Sequence, residues 1–328
     1  MKAVTWRAFG AARDVLNIEE LETPTPSKSE VLVRLACSGV NPSDAKARSG
    51  TRPGVTKPPF DVIVPHSDGA GVIEAVGEGV DAARIGQRVW IWNGQWQRAK
   101  GTCAEYICLP EAQVIELPQK VSLETGAVLG IPGLTACHCV FANGEVAGKT
   151  ILISGGGGSV GFWAVQLAKW GGATVLATCG KRDVARVRAA GADDVFLYDS
   201  DSLSDDILRA TNGNGVDHAV EVEFGENIEL LANVMASNGY ISAYGSAKRM
   251  QPEVSFGPIL FKALTVDVTL IYILPKAQRA AAIERLHAAL IDGAVNLPKP
   301  NFFSMEDAGA AHECVEIGGR VGSVLIQI

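Results

Sequence analysis

Over about the first 120 residues the apolar positions come in short runs, with the two-residue period of half-buried strands. Met1–Trp6 is one such run and Glu30–Cys37 (EVLVRLAC) is another. Arg88–Trp92, Thr102–Leu109 and Gln113–Leu117 continue the pattern. Pro24, Pro26 and the Pro-rich stretch 51–60 interrupt it, and Gly77–Asp81 makes a turn. Cys37–Gly50 reads as a turn entering a short helix, with Ser43 or Asp44 available as its N-cap. Many short strands between Gly and Pro turns predict a compact β-rich barrel.

From Ser122 the spacing becomes helical. Ser122–Thr125 resembles a helix start, and Pro132 should kink or divide the apolar stretch that follows. Strands and helices then alternate. Strands are expected at Thr150–Ile153, Ala173–Thr178, Asp194–Tyr198, Val216–Val222 and Gly239–Tyr244. The helices between them are Ser159–Trp170, Asp183–Ala190, Ser204–Thr211 and Glu226–Met235. This alternation predicts an α/β fold with a doubly wound parallel sheet. Ala263–Ile273 is a long β-rich run, followed by a helix over Lys276–Asp292 and a terminal strand within Arg320–Ile328. The expected division is a β-rich domain of residues 1–121 and 265–328 around a doubly wound domain of residues 122–264.

One segment carries chemistry in its pattern. Between the buried Thr150–Ile153 run and the apolar-faced Ser159–Trp170 helix lies a glycine-packed turn, Gly155–Gly158. Gly156, Gly158 and Gly161 fit G-x-G-x-x-G: a tight turn, a close approach for a pyrophosphate, and close helix–strand packing. Gly157, Ser159 and Val160 complete the loop and the helix start, whose free N–H groups and positive dipole end suit phosphates. A dinucleotide is therefore expected here. The next strand runs into Cys179–Gly180–Lys181–Arg182, with no acid at its end and two cations directly after it. An acid there would bond a ribose 2′-hydroxyl, whereas cations accommodate a 2′-phosphate, so NADPH is the expected cofactor. Asp183 reads as a helix N-cap. Gly245 and Ser246 follow another strand of the same half, where ligands meet such sheets.

Composition narrows the classes. The chain has 328 residues, 47% of them apolar, enough for about two domains and a large core. No apolar run reaches the ~20 residues that span a membrane. Lys2, Arg7, Arg13 and Asp14 leave no signal-peptide core, so a cytoplasmic location is expected. Thirty-six acids against 29 bases give a net charge of −7, with no basic block to bind nucleic acid. Seven scattered cysteines suit reduced thiols rather than a disulfide framework.

Several segments resemble the zinc-free medium-chain dehydrogenase/reductases, nearest to the quinone oxidoreductases of the zeta-crystallin type. They are CSGVNPSD (37–44), DGAGVIEAVGEGV (68–80), CAEY (103–106), GIPGLTA (130–136), the glycine loop, GADDVFLY (191–198) and GGRVGSVLIQI at the end. The resemblance implies a GroES-like catalytic domain split around a Rossmann domain, a cleft between them, and a homodimer or homotetramer. Where zinc-dependent members carry metal ligands, this chain has Asn41, Ser67 and Pro132, which predicts no metal. His66 lies one place from such a position. The four closely spaced cysteines of a structural zinc lobe are absent near 93–109.

The resemblance implies hydride transfer from the nicotinamide to a quinone or an α,β-unsaturated carbonyl. Negative charge then develops on oxygen, and nearby hydrogen-bond donors lower the barrier. Asn41 is the first candidate donor, with a turn-stabilising role before Pro42 as the other reading. Relatives often carry a tyrosine near the place of Lys46; Lys46 is either a cationic donor or a solvated surface lysine. Tyr272 either lines the nicotinamide pocket or is a core aromatic. Tyr198 either meets the adenosine end or merely closes a strand. Trp92 and Trp96 either wall a flat substrate site or cap the barrel. Two rivals stand beside the reductase reading, a zinc-dependent alcohol dehydrogenase and a non-catalytic NADPH-binding protein.

Overall fold

The computed structural model describes residues 1–52 and 54–328. They divide into two compact units, Met1–Ile131 with Leu297–Ile328, and Pro132–Asn296.

The first unit is built on the long strand Glu30–Val40. One edge pairs antiparallel with Asp68–Val76. The other edge is shared, by Tyr106–Pro110 along its first half and by Val324–Gln327 along its second. Arg88–Ile91, Val114–Glu116 and Asn301–Phe303 complete a seven-stranded sheet. The alternation read from the sequence does the packing: Val31, Val33 and Leu35 point into a core with Ile73, Val89 and Ile107. Lys2–Thr5 pairs with Asn17–Glu20 as a separate ribbon. The helix after the central strand begins one turn earlier than expected. It runs Pro42–Ser49 with Asn41 as N-cap, Pro at its first position, and Asp44 three residues in, where its carboxylate accepts from the Asn41 backbone N–H.

The second unit holds six parallel strands in the spatial order Asp194–Leu197, Thr174–Cys179, Thr150–Ile153, Val216–Glu221, Met235–Ala243 and Thr265–Val268. This is the 3-2-1-4-5-6 order of a doubly wound sheet, whose ligand crevice lies outside the strand carboxyl ends at the first strand. The strands and helices lie within a few residues of their expected places, and the Ser159–Trp170 helix has the expected bounds. Pro132 sits inside a π-helical turn, Leu129–Gly133, so the apolar stretch divides there as its missing N–H requires.

The division of the chain differs from the expected one at both borders. Residues 122–131 belong to the first unit, and residues 265–296 belong to the second. Thr265–Val268 does not return to the β-rich half, because it adds to the edge of the parallel sheet beside Met235–Ala243. The β-rich run is also shorter than its composition suggested, since Ile271–Ile273 turns into a 3-10 helix. The helix Lys276–Ile291 belongs to the same unit, where the Cys137 thiol donates to the Ala282 carbonyl. All seven cysteines are free.

Candidate active site

The glycine loop is fixed by the strand beside it. Thr178 accepts twice, its carbonyl from Gly156 N–H at 2.8 Å and its Oγ1 from Gly155 N–H at 3.2 Å. Gly158 caps the Ser159–Trp170 helix without any side-chain cap bond, so the first N–H groups of a twelve-residue helix are left for a ligand. A Cβ on Gly161 would stand 2.2 Å from the Gly155 carbonyl oxygen, so helix and loop approach too closely for any side chain. The cradle fits a pyrophosphate.

Four of the predicted cofactor residues cluster beside it. Gly180 ends the Thr174–Cys179 strand, and Tyr198, 61% exposed, lies against it, with its ring 3.5 Å from where a Cβ would be. Lys181 and Arg182 are exposed in the 3-10 turn that follows. Asp183 precedes the Val184–Ala189 helix but makes no cap bond. Its carboxylate instead accepts from Arg186 at 2.8 Å and packs against Gly157, where a Cβ would lie 2.8 Å from it. Arg186 also donates to the Gly157 carbonyl at 2.7 Å and covers the Phe162 ring at 4.8 Å. Arg186 and Asp183 therefore brace the loop from outside. Their spacing of three on a helix was the only hint in the sequence.

Gly245 and Ser246 lie at the end of the next strands. The Ser246 hydroxyl accepts from Gly225 N–H at 2.8 Å and donates to the Arg249 carbonyl at 2.6 Å, so it serves a turn. Between them and the loop sits Glu221, fully buried, which accepts from Ser154 Oγ at 2.5 Å and from Asn227 Nδ2 at 2.9 Å. Burial pushes its carboxyl above the usual range, opposed by these donors.

In the first unit the candidate Asn41 is buried, and its Nδ2 donates to Asp68 Oδ2 at 2.9 Å. Ile131 N–H reaches the same oxygen at 3.1 Å. Asp68 is fully buried, and burial drives its carboxyl well above the ordinary carboxylate range against those two donors. Burial likewise pushes Asp44 up to about 7. Sequence reading passed over Asp68 because an acid at a strand start gives no sign of being enclosed. Lys46 is exposed on the Pro42–Ser49 helix. Trp92 is half-buried, its indole N–H donating to the Ala112 carbonyl at 3.2 Å, and Trp96 is half-buried in the loop that follows. Tyr272 is half-buried in the 3-10 turn of the second unit, not on a strand.

The three positions compared with zinc ligands carry an amide, a hydroxyl and a proline. Asn41 is engaged with Asp68, Ser67 is buried, and Pro132 offers no donor. His66 turns the other way, with Nδ1 2.8 Å from Ser38 Oγ and Nε2 2.9 Å from His312 Nε2. Among the described residues no three His, Cys, Asp or Glu side chains converge as metal ligands. No helix among them is long and apolar enough to cross a membrane.

Comparison with known proteins agrees with this architecture. The model of the alcohol dehydrogenase GroES-like domain matches residues 27–119, and that of the zinc-binding dehydrogenases matches residues 159–288. The quinone oxidoreductase of Sus scrofa is 29% identical, over 99% of this chain and 97% of its own. A solved NAD-dependent alcohol dehydrogenase superposes with a TM-score of 0.88 at 28% identity, covering 100% of both chains. The quinone oxidoreductase of Pseudomonas syringae pv. Tomato gives 0.86 at 25%, covering 100% of this chain and 99% of its own. With a GroES-like domain, a Rossmann sheet bearing a nicotinamide-dinucleotide loop, and full-length likeness to quinone oxidoreductases, the chain belongs to the medium-chain dehydrogenase/reductase family, as an oxidoreductase.

Proposed function

We propose that the protein is an NADPH-dependent reductase of quinones or α,β-unsaturated carbonyls that works without a metal. One observation carries the cofactor half. An uncapped helix N-terminus behind three glycines lies next to the exposed cations Lys181 and Arg182, at the carboxyl ends of neighbouring parallel strands. The likeness to quinone oxidoreductases supports the acceptor class.

NADPH, when bound, supplies the hydride. The loop N–H groups of Gly157, Ser159 and Val160 hold the pyrophosphate, and Lys181 and Arg182 pair with the 2′-phosphate. Tyr198 packs on the adenosine end, with Gly180 leaving room. Gly245 and Ser246 shape the neighbouring turn. On the acceptor, charge gathers on oxygen as the hydride arrives, and the Asn41 amide donates to it. Lys46 and Tyr272 are the remaining donors of the proposal. An amide, a hydroxyl and a proline at the positions of zinc ligands support chemistry without the metal. Seven free thiols suit a reducing, cytoplasmic setting. The proposed assembly is a homodimer or homotetramer. The outer strand of the parallel sheet supports it, because it leaves Val268 77% exposed beside an unpaired edge.

NADPH oxidation by the purified chain over a panel of quinones and enones tests the reading, together with metal analysis. Turnover without stoichiometric metal supports it. About one zinc per chain, with activity lost on chelation, points to an alcohol dehydrogenase instead. Tight NADPH binding with no turnover points to a non-catalytic binding protein. Light scattering tests the assembly.

A second cofactor reading has one observation behind it. The Asp183 carboxylate packs against Gly157, close to where an acid would bond a ribose hydroxyl of NADH. Arg186 neutralises that carboxylate at 2.8 Å, which is why NADPH is preferred.

A further inference from the structure

We propose that Asp68 is the positioning residue for the Asn41 carboxamide, and that Gly130 lacks a side chain so that Asp68 can hold this place; the proposal rests on the reductase reading given above.

A carboxamide has a donor end and an acceptor end of nearly the same shape, so an isolated Asn can present either. Asp68 removes that freedom. Its Oδ2 accepts from Asn41 Nδ2 at 2.9 Å, and turning the amide over would set a carbonyl oxygen against a carboxyl oxygen. One N–H is thereby spent on Asp68, which sets the plane of the amide, and the Asp44 carboxyl lies beside the same side chain. The Asn41 backbone is held as well, since its N–H donates to Asp44 Oδ2 at 2.8 Å.

Asp68 is itself immobilised from several directions. Ile131 N–H donates to Oδ2 at 3.1 Å, and the Thr102 hydroxyl donates to the Asp68 carbonyl at 2.6 Å. The strand register pairs Asp68 with Gly39. Oδ1 is buried and makes no hydrogen bond, so a proton on this carboxyl belongs there, and Oδ2 accepts in both protonation states. A Cβ on Gly130 would stand 2.4 Å from Oδ1 and 2.5 Å from the Ile91 carbonyl oxygen, so any side chain there displaces Asp68. The role fits a residue that acts through another, because Asp68 is fully buried and Asn41 covers its accepting oxygen.

The test uses the full chain with 15N-labelled asparagine. The Asn41 side-chain amide is assigned from its loss in Asn41→Asp, and hydrogen exchange reads its protection. Protection is expected in the wild type and in Asp68→Asn, whose carboxamide oxygen still accepts, and its loss is expected in Asp68→Ala and Gly130→Ala. The kinetic arm measures NADPH turnover with an accepted quinone or enone. Asp68→Ala should lower kcat roughly tenfold or more, as loss of orientation does, while NADPH affinity holds. The double variant with Asn41→Ala should fall no further than Asn41→Ala alone. An unchanged Asn41 amide in Asp68→Ala, or kinetic losses that multiply, overturns the proposal. Should Asp68→Ala fail to fold, Asp68→Asn against Gly130→Ala decides, since Gly130→Ala keeps both side chains. If no acceptor is reduced, the reductase reading fails while the amide measurement still judges the positioning of Asn41.

Discussion

His66 and His312 meet Nε2 to Nε2 at 2.9 Å in the interior of the first unit, both fully buried. The surrounding bonds assign their protons. Thr102 gives its only hydroxyl hydrogen to the Asp68 carbonyl, so Ser38 donates to Thr102 and accepts from His66 Nδ1–H. His66 Nε2 then accepts from His312 Nε2–H. These bonds require a neutral pair, and His66 stands at a φ of 78°, in the left-handed region.

Acid should therefore destabilise this unit. Burial lowers His66 well below its ordinary value and, with the nearby Arg48 charge, pushes His312 down to about 3. The unfolded chain binds protons from pH ~6.5 downward while the folded pair does not, so stability falls as pH falls, from about 6.5 towards 3. Asp44 and Asp68 act in the opposite sense, since their raised values favour the folded state at low pH and lose that advantage as pH rises. The difference between wild type and His66→Gln/His312→Gln isolates the pair. Urea unfolding should show the wild type losing about 4 kcal/mol more than the double variant between pH 7.5 and pH 5, about 2 kcal/mol for each histidine. Parallel losses in the two proteins would remove the pair from the account.

Gly161→Ala should weaken nucleotide binding by roughly tenfold or more, because the new Cβ would lie 2.2 Å from the Gly155 carbonyl and push the helix off the loop. Gly257→Ala, which meets nothing within 4 Å, is the control. Fluorescence titration with NADPH reads both, and equal affinities would refute the close-packing requirement.

The two sets of cations beside the loop should behave differently. Lys181→Ala with Arg182→Ala should raise the dissociation constant for NADPH about tenfold and leave that for NADH nearly unchanged, since only a 2′-phosphate uses them. Arg186→Ala should weaken both nucleotides alike, because it frees the Gly157 carbonyl and removes the nearer of the two cations paired with Asp183. Titrating each variant with both nucleotides distinguishes the roles. Equal effects of the Lys181 and Arg182 changes on NADPH and NADH would favour the NADH reading.

Lys262 closes a helix in the second unit. Its ammonium donates to the carbonyls of Ala232, Asn233 and Met235 at 2.7–2.8 Å, at the end of the Phe224–Val234 helix. Lys262→Met keeps most of the stem and removes all three bonds, so it should cost about 2 kcal/mol of stability. Thermal unfolding checks it, and an unchanged midpoint would mean that solvent serves those carbonyls equally well.

What the sequence determined by itself was local. The unit from Thr150 to Cys179 was legible because a buried β-branched run, three glycines and an apolar-faced helix each constrain neighbours within a few residues. The absence of an acid after Thr178 was legible for the same reason. What only the tertiary structure decided depends on residues far apart in the chain. The run after Leu264 looked like any β segment, and its place at the edge of the parallel sheet follows from pairing with Met235–Ala243. Asp68 and Asn41 are 27 residues apart, and His66 and His312 are 246 apart. Asp183 matched an N-cap by type, yet its carboxylate turns to Arg186 and Gly157. Periodicity reports which face of an element is apolar, whereas a buried polar group takes whichever partner the packing brings to it, and that partner leaves no trace in the local pattern.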